Sequence, residues 1–470
     1  MEIATETERK YDVPADFTLP ALTGLGAGET HELDATYYDT ADLRLARLRR
    51  TLRRRTGGSD AGWHLKTPGD GTSRTEHRLP LDGDEVPAEL LAEVRAIVRN
   101  EPLRPVLRLR TTRVEAPIRD RKGRTLALVA QDAVTADTDG VRQRWREVEV
   151  ELVDGDAKVF KSVEKALFKV GATPAGGPSK LARALGVRLA AAPAPADTHG
   201  PVLAYARQQR DDLQAYDPGV RHGDPEAVHK MRVATRRLRS TLKTFKRSFD
   251  PAAAPAVADD LKWLAGLLGE VRDGQVLTGK LLAGAERDGP EFAPVAARIR
   301  SHLEAKVEQG RQALAVELDG ARYLRLLDAV DALISSANPE KHPLGRARRS
   351  LAKADRLLDE ATADGVDREL HEARKAYKRA RYAVEVFPVD GGRLIKRLTA
   401  LQDVLGAHQD TVVAREILRE LAGTAQAEGE SGFPYGVRYA RQEQVGAETL
   451  RELPAVVARS RKPKLRSWLA

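Results

Sequence analysis

Glu6-Thr7-Glu8-Arg9-Lys10 is the stretch whose spacing decides how the N-terminal half is read. Alternate side chains of an extended strand share a face, so Glu6, Glu8 and Lys10 project together. Two carboxylates and an ammonium on one face suit a hard cation bound beside a phosphate. A strand with one solvated, charged side has the same pattern, and the other strands must choose between the two.

Residues 145–152 place Glu147, Glu149 and Glu151 on one face and Val148, Val150 and Leu152 on the other. Such strict alternation predicts a strand that is dry on one side and charged on the other. Basic stretches recur at the same period, with Arg53 and Arg55 in Leu52-Arg53-Arg54-Arg55 and Lys66 in Trp63-His64-Leu65-Lys66. Arg74, Glu76 and Arg78 form a mixed face, and residues 126–132 read as an apolar strand ending in the carboxylate of Asp132. Closed into a barrel with charge inward, these strands would enclose a lumen with acidic and basic walls. The basic walls would hold a polyanion and the acidic ones its metal.

Together these residues resemble the CYTH, or triphosphate tunnel metalloenzyme, domain, whose hallmark is an ExExK strand near the N-terminus. The likeness continues through Tyr37-Tyr38-Asp39-Thr40, Leu52-Arg53-Arg54-Arg55, His64-Leu65-Lys66, Asp132, the Glu147/Glu149/Glu151 strand and Ser179-Lys180, over residues 1–190. It implies an α+β domain: an eight-stranded antiparallel tunnel with flanking helices. Arg53, Arg55, Lys66, Arg113 and Lys180 would bind a linear triphosphate. Mg²⁺ or Mn²⁺ would sit on Glu6, Glu8, Glu147 and Glu149, supported by Glu151 and Asp132, with Lys10 on a terminal phosphate oxygen. The catalytic set is then Glu6, Glu8, Lys10, Glu147 and Glu149. In residues 107–113, alternation puts Arg108 and Arg110 on the face opposite Arg113 unless a bulge intervenes. Arg113 is the better match for the tunnel and Arg110 the second.

A chain of 470 residues exceeds one hydrophobic core, so two or three domains are expected. With 41% hydrophobic and 31% charged residues it reads as globular, and a net charge of +9 points to an anionic partner. No stretch approaches the roughly 18–20 apolar residues of a spanning helix, and the acidic start lacks a signal peptide's basic and apolar regions. The absence of cysteine excludes disulfides and thiolate metal sites and fits the cytoplasm.

Composition shifts near residue 190. Residues 191–199 read as an Ala/Pro linker, preceded by predicted helices over 87–99 and 156–170. Residues 200–470 read as an all-α bundle of two pseudo-repeats, about 200–335 and 340–470. His229 begins one unit and His371 the other, and basic residues fall at +3, +7, +8 and +10 from each. Leu268-Gly269-Glu270-Val271-Arg272-Asp273 follows the first, and Leu405-Gly406-Ala407-His408-Gln409-Asp410 the second. Two segments recurring in one order mark a duplication. At about 100° per residue, positions 0, +3, +7 and +10 share one stripe, and residues 229–247 contain no acid to neutralise it.

These motifs resemble the CHAD domain, a conserved-histidine α-helical domain associated with inorganic polyphosphate. The resemblance maps its binding set onto His229, Arg232, Arg236, Arg239, His371, Arg374, Lys378 and Arg381, with Arg237, Lys375 and Arg379 on the flank. The second unit departs from the first in carrying His408 and Gln409 before Asp410.

The leading expectation is metal-dependent hydrolysis of inorganic triphosphate coupled to polyphosphate binding, in the cytoplasm with association to polyphosphate granules. The alternatives are a non-enzymatic polyphosphate-binding protein and a tunnel acting on an organic triphosphate such as thiamine triphosphate. The latter needs an aromatic platform, for which Trp63, Trp145, Tyr37 and Tyr38 are the candidates. His64 shares the face of Lys66. No other histidine shows ligand spacing, no GxxxxGK[ST] loop is present, and the aromatics do not interleave with a basic strand, so nucleic acid is not the expected specific partner.

Overall fold

The alternating stretches are strands of one closed antiparallel sheet: β1 (Glu2–Val13), β2 (Glu29–Asp39), β3 (Thr51–Thr56), β4 (Gly62–Pro68), β5 (Ser73–Leu79), β6 (Arg104–Arg119), β7 (Thr125–Thr138) and β8 (Val141–Leu152). A computed structural model describes residues 1–69, 73–138, 140–177, 179–190, 200–282 and 292–469. The expected linker 191–199 lies outside the described residues. The chain divides into two compact units, Met1–Ala196 and Asp197–Ala470.

The strand order is β5-β4-β3-β2-β6-β7-β8-β1, and β1 returns to β5 to close an eight-stranded barrel. A two-residue β9 (Thr173–Pro174) adds to β1 outside it. β1 closes the barrel by changing partner midway: residues 2–7 pair with β5 and residues 8–13 with β8. Glu6 therefore stands opposite Arg74, Glu8 opposite Glu151, and Lys10 opposite Glu149.

The outer face is dry where helices cover it. α2 (Ala88–Val98) buries Leu90, Val94 and Ile97 against Leu52, Trp63 and Leu65, and α3 (Ala157–Lys169) buries Phe160, Val163 and Leu167 against Val129, Val148 and Val150. Both helices fall where the sequence predicts them, with Asp156 capping α3 by accepting from the Lys158 N–H. Two further helices act inside. α1 (Arg44–Arg47) and α4 (Lys180–Ala190) pack Ala46, Leu181, Ala184 and Leu185 against Leu107, Leu109, Val134 and Ala136, which share strand faces with Arg113 and Asp132. Apolar side chains thus fill one end of the lumen, and charge is confined to the rest.

Two devices fix the turns. Asp39, fully buried, accepts from the backbone N–H groups of Thr40, Leu45 and Ala46 at 2.7–2.9 Å, which ties the end of β2 to α1. Gly57 in the β3–β4 turn has φ +81°, and a Cβ there would lie 1.9 Å from the Glu32 carbonyl oxygen, so only glycine fits.

The second unit is helical throughout its described residues. Its helices are α5 (Gly200–Arg221), α6 (Pro225–Thr244), α7 (Ala254–Leu282), α8 (Ala293–Asp319), α9 (Ala321–Ser335), α10 (Pro343–Asp364), α11 (Asp367–Glu385), α12 (Pro388–Ala427), α13 (Phe433–Arg451), α14 (Leu453–Ser460) and α15 (Pro463–Arg466). α5–α6–α7–α8 and α10–α11–α12–α13 pack in the same succession, and α6 meets α11. The two His motifs therefore lie on the pair of helices where the repeats touch. No helix among the described residues is long and apolar enough to cross a membrane.

Candidate functional sites

The barrel encloses a polar cavity of about 250 Å³. Its wall carries Arg53 and Arg55 from β3, Lys66 from β4, Arg74, Glu76 and Arg78 from β5, Glu6, Glu8 and Lys10 from β1, Glu149 and Glu151 from β8, Arg113 from β6, Lys180 from α4 and Tyr37 from β2. Strand alternation delivers all but Lys180, which a helix start delivers instead. The Ser179 hydroxyl accepts from the Ala182 N–H at 3.1 Å and caps α4, leaving Lys180 in its first turn. A cation there opposes the helix dipole. Three carboxylates offset this, since Lys180 Nζ lies 2.8 Å from Asp132, 2.7 Å from Glu147 and 2.7 Å from Glu149.

Glu149 is the hub of the acidic wall. It pairs with Lys10, Lys180 and Arg113, and Arg113 also makes two hydrogen bonds to Asp132 at 2.8 and 2.7 Å. Burial pushes the Glu149 carboxyl up, but Lys10, Lys180 and Arg113 outweigh it and hold the group well below the usual carboxylate range. Lys180 mirrors this: burial alone would discharge it, and Asp132, Glu149 and Glu147 raise it above an ordinary lysine.

The opposite wall centres on Glu76, which the sequence places on a charged face without giving it a role. It is fully buried and contacts Arg78, His64 at 3.0 Å, Lys66 at 3.5 Å and Arg53 at 3.8 Å. Glu6 pairs with Lys66 and, at 2.9 Å, with Arg78. The ring nitrogens of His64 face Glu76 and the Asp60 carbonyl oxygen, so this residue orients the wall from behind. Arg74, Glu76 and Arg78 were legible as a period-two face; what the sequence did not show is that β5 closes the barrel onto β1.

In the helical unit, α6, α7, α8, α11 and α12 line a cleft of about 1020 Å³ that gathers Arg232, Arg236, Arg239, His371, Arg374 and Lys378. The Leu-Gly segments explain themselves here. Arg232 lies across Gly269, where a Cβ would come within 3.3 Å of its guanidinium, and makes two 2.7 Å hydrogen bonds to Asp273 one turn on. Arg374 lies against Gly406 in the same way, 3.8 Å from where a Cβ would stand, but Asp410 is held by Lys280 and His371 hydrogen-bonds Gln409 at 2.7 Å. Burial, then Arg236, Arg374, Arg232 and Arg381, pull Lys378 down to about 6.

The CYTH domain family model matches residues 4–185 and the CHAD domain model residues 204–419. The chain is similar to the "Uncharacterized protein Rv2226" of Mycobacterium tuberculosis, at 39% identity over 95% of this chain and 94% of that one. This chain belongs to the CYTH–CHAD family. Among solved structures, the CHAD domain of the plant Ricinus communis is similar at 29% identity over 56% of this chain and 92% of its own, with a TM-score of 0.44. PptA from Streptomyces chartreusis is similar at 21% identity over 55% of this chain and 98% of its own, with a TM-score of 0.48. Membership implies a divalent-metal-dependent tunnel for triphosphates in the first unit and an association with polyphosphate in the second.

The CYTH carboxylates fit a hard divalent cation. Oxygen atoms of Asp132, Glu147 and Glu149 lie within 4.8 Å of one another around Lys180, and the buried Oε1 of Glu8 lies 3.3 Å from Lys10 Nζ. Glu151, facing Glu8, is pushed up to about 7 by burial and then by Glu6, Glu8 and Glu149, with Lys66 opposing. Crowded carboxylates that offer oxygen donors only suit Mg²⁺ or Mn²⁺, which would take up the acids that Lys10, Lys180 and Arg113 otherwise neutralise.

Five expected residues lie off the walls of the two cavities. Arg110 points outward, more than half exposed and 3.6 Å from Asp34, because β6 keeps strict alternation through residues 108–114 and no bulge brings it inward. Glu147 is buried behind Lys180 and accepts from the Trp145 indole at 2.6 Å, off the cavity wall, as Asp132 is. Arg381 of the CHAD domain turns to Glu385 at 3.4 Å, beside Arg237 at 2.8 Å, and lies outside the cleft, as does His229.

Proposed function

We propose that the CYTH tunnel hydrolyses inorganic triphosphate and that the CHAD cleft holds polyphosphate. The fate of the aromatic residues carries the choice of an inorganic substrate. Trp63 is fully buried in the outer core with its ring 5.1 Å from Tyr38. Trp145 spends its N–H on Glu147 and has Arg183 over its ring at 4.9 Å. Tyr37 reaches the cavity, but its phenol is engaged by Arg53. None is left as a platform for a nucleobase or a thiazole, and a cavity of about 250 Å³ suits a short phosphate chain.

Arg53, Arg55, Lys66, Arg113 and Lys180 would grip the phosphate oxygens, since a chain of several negative charges needs several fixed cations. Glu76 and His64 hold the Arg53/Lys66 wall, and Asp132 and Glu147 hold Arg113 and Lys180. Glu149, with Glu8, Glu151 and Glu6 on the cavity wall and Asp132 and Glu147 clustered with it off the wall, would bind Mg²⁺ or Mn²⁺. Such a cation withdraws charge from the scissile phosphoryl group and lowers the pKa of an attacking water. The work left to the chain is positioning and charge stabilisation, with no covalent intermediate. Lys10, Lys180 and Arg113 are tied to Glu149 in this state, so neutralising the carboxylates frees them for phosphate. Metal and substrate should therefore bind cooperatively.

The test is phosphate release from triphosphate with Mg²⁺ or Mn²⁺ by wild type, Glu8→Ala and Glu149→Ala. Metal-dependent turnover that falls about 10²–10³-fold in both variants is expected. Absence of turnover by the wild type across metals and pH would leave the tunnel a phosphate-chain receptor.

A further inference from the structure

A second cavity, of about 350 Å³, adjoins the CHAD cleft at the meeting of α6 and α11. Both share Arg236, Arg239, Lys375 and Lys378, but the cleft is completed by α7, α8 and α12, whereas the second cavity is completed by Lys353 of α10 with Ser240, Lys243 and Arg379. Lys243, Lys353 and Ser240 belong to neither His motif, and the sequence pattern assigns them nothing.

This cavity is short of negative charge. Its one acidic lining residue, Glu372, is tied to Lys375 at 2.5 Å. Among the described residues, Arg239, Lys243, Lys353 and Arg379 have no carboxylate within ion-pair distance. Arg239 Nε and Ser240 Oγ are buried without a hydrogen-bond partner. Burial, then the charge of Arg379 at Arg239 and of Arg239 and Arg379 at Lys243, pulls both below their ordinary values against the opposing charge of Asp259. Unpaired cations and spare donors around a concave space are unfavourable until an anion with many acceptor oxygens enters. The aromatic residue in the wall, Tyr382, has Arg237 5.9 Å and Arg381 5.1 Å from its ring centre, so its face is not offered to a base.

We propose that the second cavity is an anion subsite that prolongs the cleft, so that a polyphosphate chain passes Arg236 and Lys378 and continues onto Arg239, Lys243, Lys353 and Arg379. The proposal rests on the reading of the cleft as a polyphosphate site. It makes the helical domain selective for chains long enough to occupy both cavities.

Lys243 and Lys353 are solvent-exposed, so replacing them does not threaten the fold. The affinity of the full chain for long-chain polyphosphate is measured against salt concentration for the wild type, for Lys243→Gln/Lys353→Gln and for Arg232→Glu/Arg374→Glu. The glutamine pair should bind about 10-fold more weakly, with a salt slope shallower by about 1–1.5 for two lost phosphate contacts. Lys243→Arg/Lys353→Arg should restore both. Unchanged affinity and slope in the glutamine pair, with binding still lost in the glutamate pair, would overturn the second subsite and leave the cleft intact. Failure of the wild type to bind polyphosphate overturns the cleft reading and the subsite together. Displacement of polyphosphate by equal phosphate equivalents of single-stranded oligothymidylate would overturn the phosphate-chain assignment, whereas resistance to it supports the assignment.

Discussion

Lys180 in the tunnel and Lys378 in the cleft are both largely buried, yet they move in opposite directions. Lys180 rises because three carboxylates surround it, while Lys378 falls to about 6 because its neighbours are Arg236, Arg374, Arg232 and Arg381. Burial costs both lysines; the company each keeps decides the sign. The tunnel cations Lys10, Lys66, Arg113 and Lys180 each have a carboxylate of the same wall, whereas Arg236, Arg239 and Lys378 have no ion-pair partner among the described residues. A self-neutralised site binds an anion only when something else takes up its acids, which suits chemistry dependent on a metal. An unneutralised site stores repulsion that any long polyanion relieves, which suits retention.

The sharpest way to break this contrast is to reverse the cleft's charge. Arg232→Glu with Arg374→Glu should cut polyphosphate retention on a column by about 10³-fold while leaving triphosphate hydrolysis within two-fold. Retention at the wild-type level would reduce the stripe to a solvated face. In the tunnel the corresponding probe is a pair of neighbours on one strand. Arg113→Ala should lower kcat/KM for triphosphate by about 10²-fold, and Arg110→Ala should leave it unchanged within error. Equal effects would mean that β6 shifts register in solution.

That pair also shows how far the residues spoke for themselves. Period-two alternation put Glu6, Glu8, Glu149, Arg53 and Lys66 on inward faces, because a strand's side is set by parity alone. Parity could not say which parity of β6 faced inward, since Arg108, Arg110 and Arg113 are chemically alike. Depth was hidden as well. Glu147 and Glu149 share a face, yet only Glu149 reaches the cavity, because α4 inserts Lys180 over Glu147, and strand periodicity carries no information about where a distant helix docks. On α6 and α11 the 3.6-residue stripe located the cleft, but its end at Arg381 is claimed by Glu385, four residues on.

Acidity offers a milder probe of the cleft. A phosphate chain stabilises the charged form of Lys378, so binding raises its pKa above about 6 and takes up a proton. Affinity should be greatest near pH 6 and fall as pH rises, by at most about 10-fold per unit until the pKa of the complex is passed. Calorimetry in buffers of different ionisation enthalpy would count the proton. Lys378→Arg, which stays charged, should flatten the profile, while the tunnel's Lys180, already charged, should contribute no slope in the same range. A flat wild-type profile would mean that Lys378 is charged before the ligand arrives.

The finest probe asks whether the two repeats carry their arginines alike. A Cβ at residue 269 would stand 3.3 Å from the Arg232 guanidinium, closer than a comfortable contact, while one at residue 406 would stand 3.8 Å from Arg374 Nε, an ordinary one. Gly269→Ala should therefore push Arg232 off its seat and strain its two bonds to Asp273, whereas Gly406→Ala should be accommodated. Both helices gain propensity from alanine by about 1 kcal/mol, so stability should rise or hold in each and cannot explain a loss of binding. Polyphosphate affinity should fall about two- to five-fold in Gly269→Ala and stay constant in Gly406→Ala. A reversed order would show that Arg374, whose aspartate is held by Lys280, is the arginine that depends on its glycine, and that the Arg232–Asp273 pair is stiff enough to carry its helix with it.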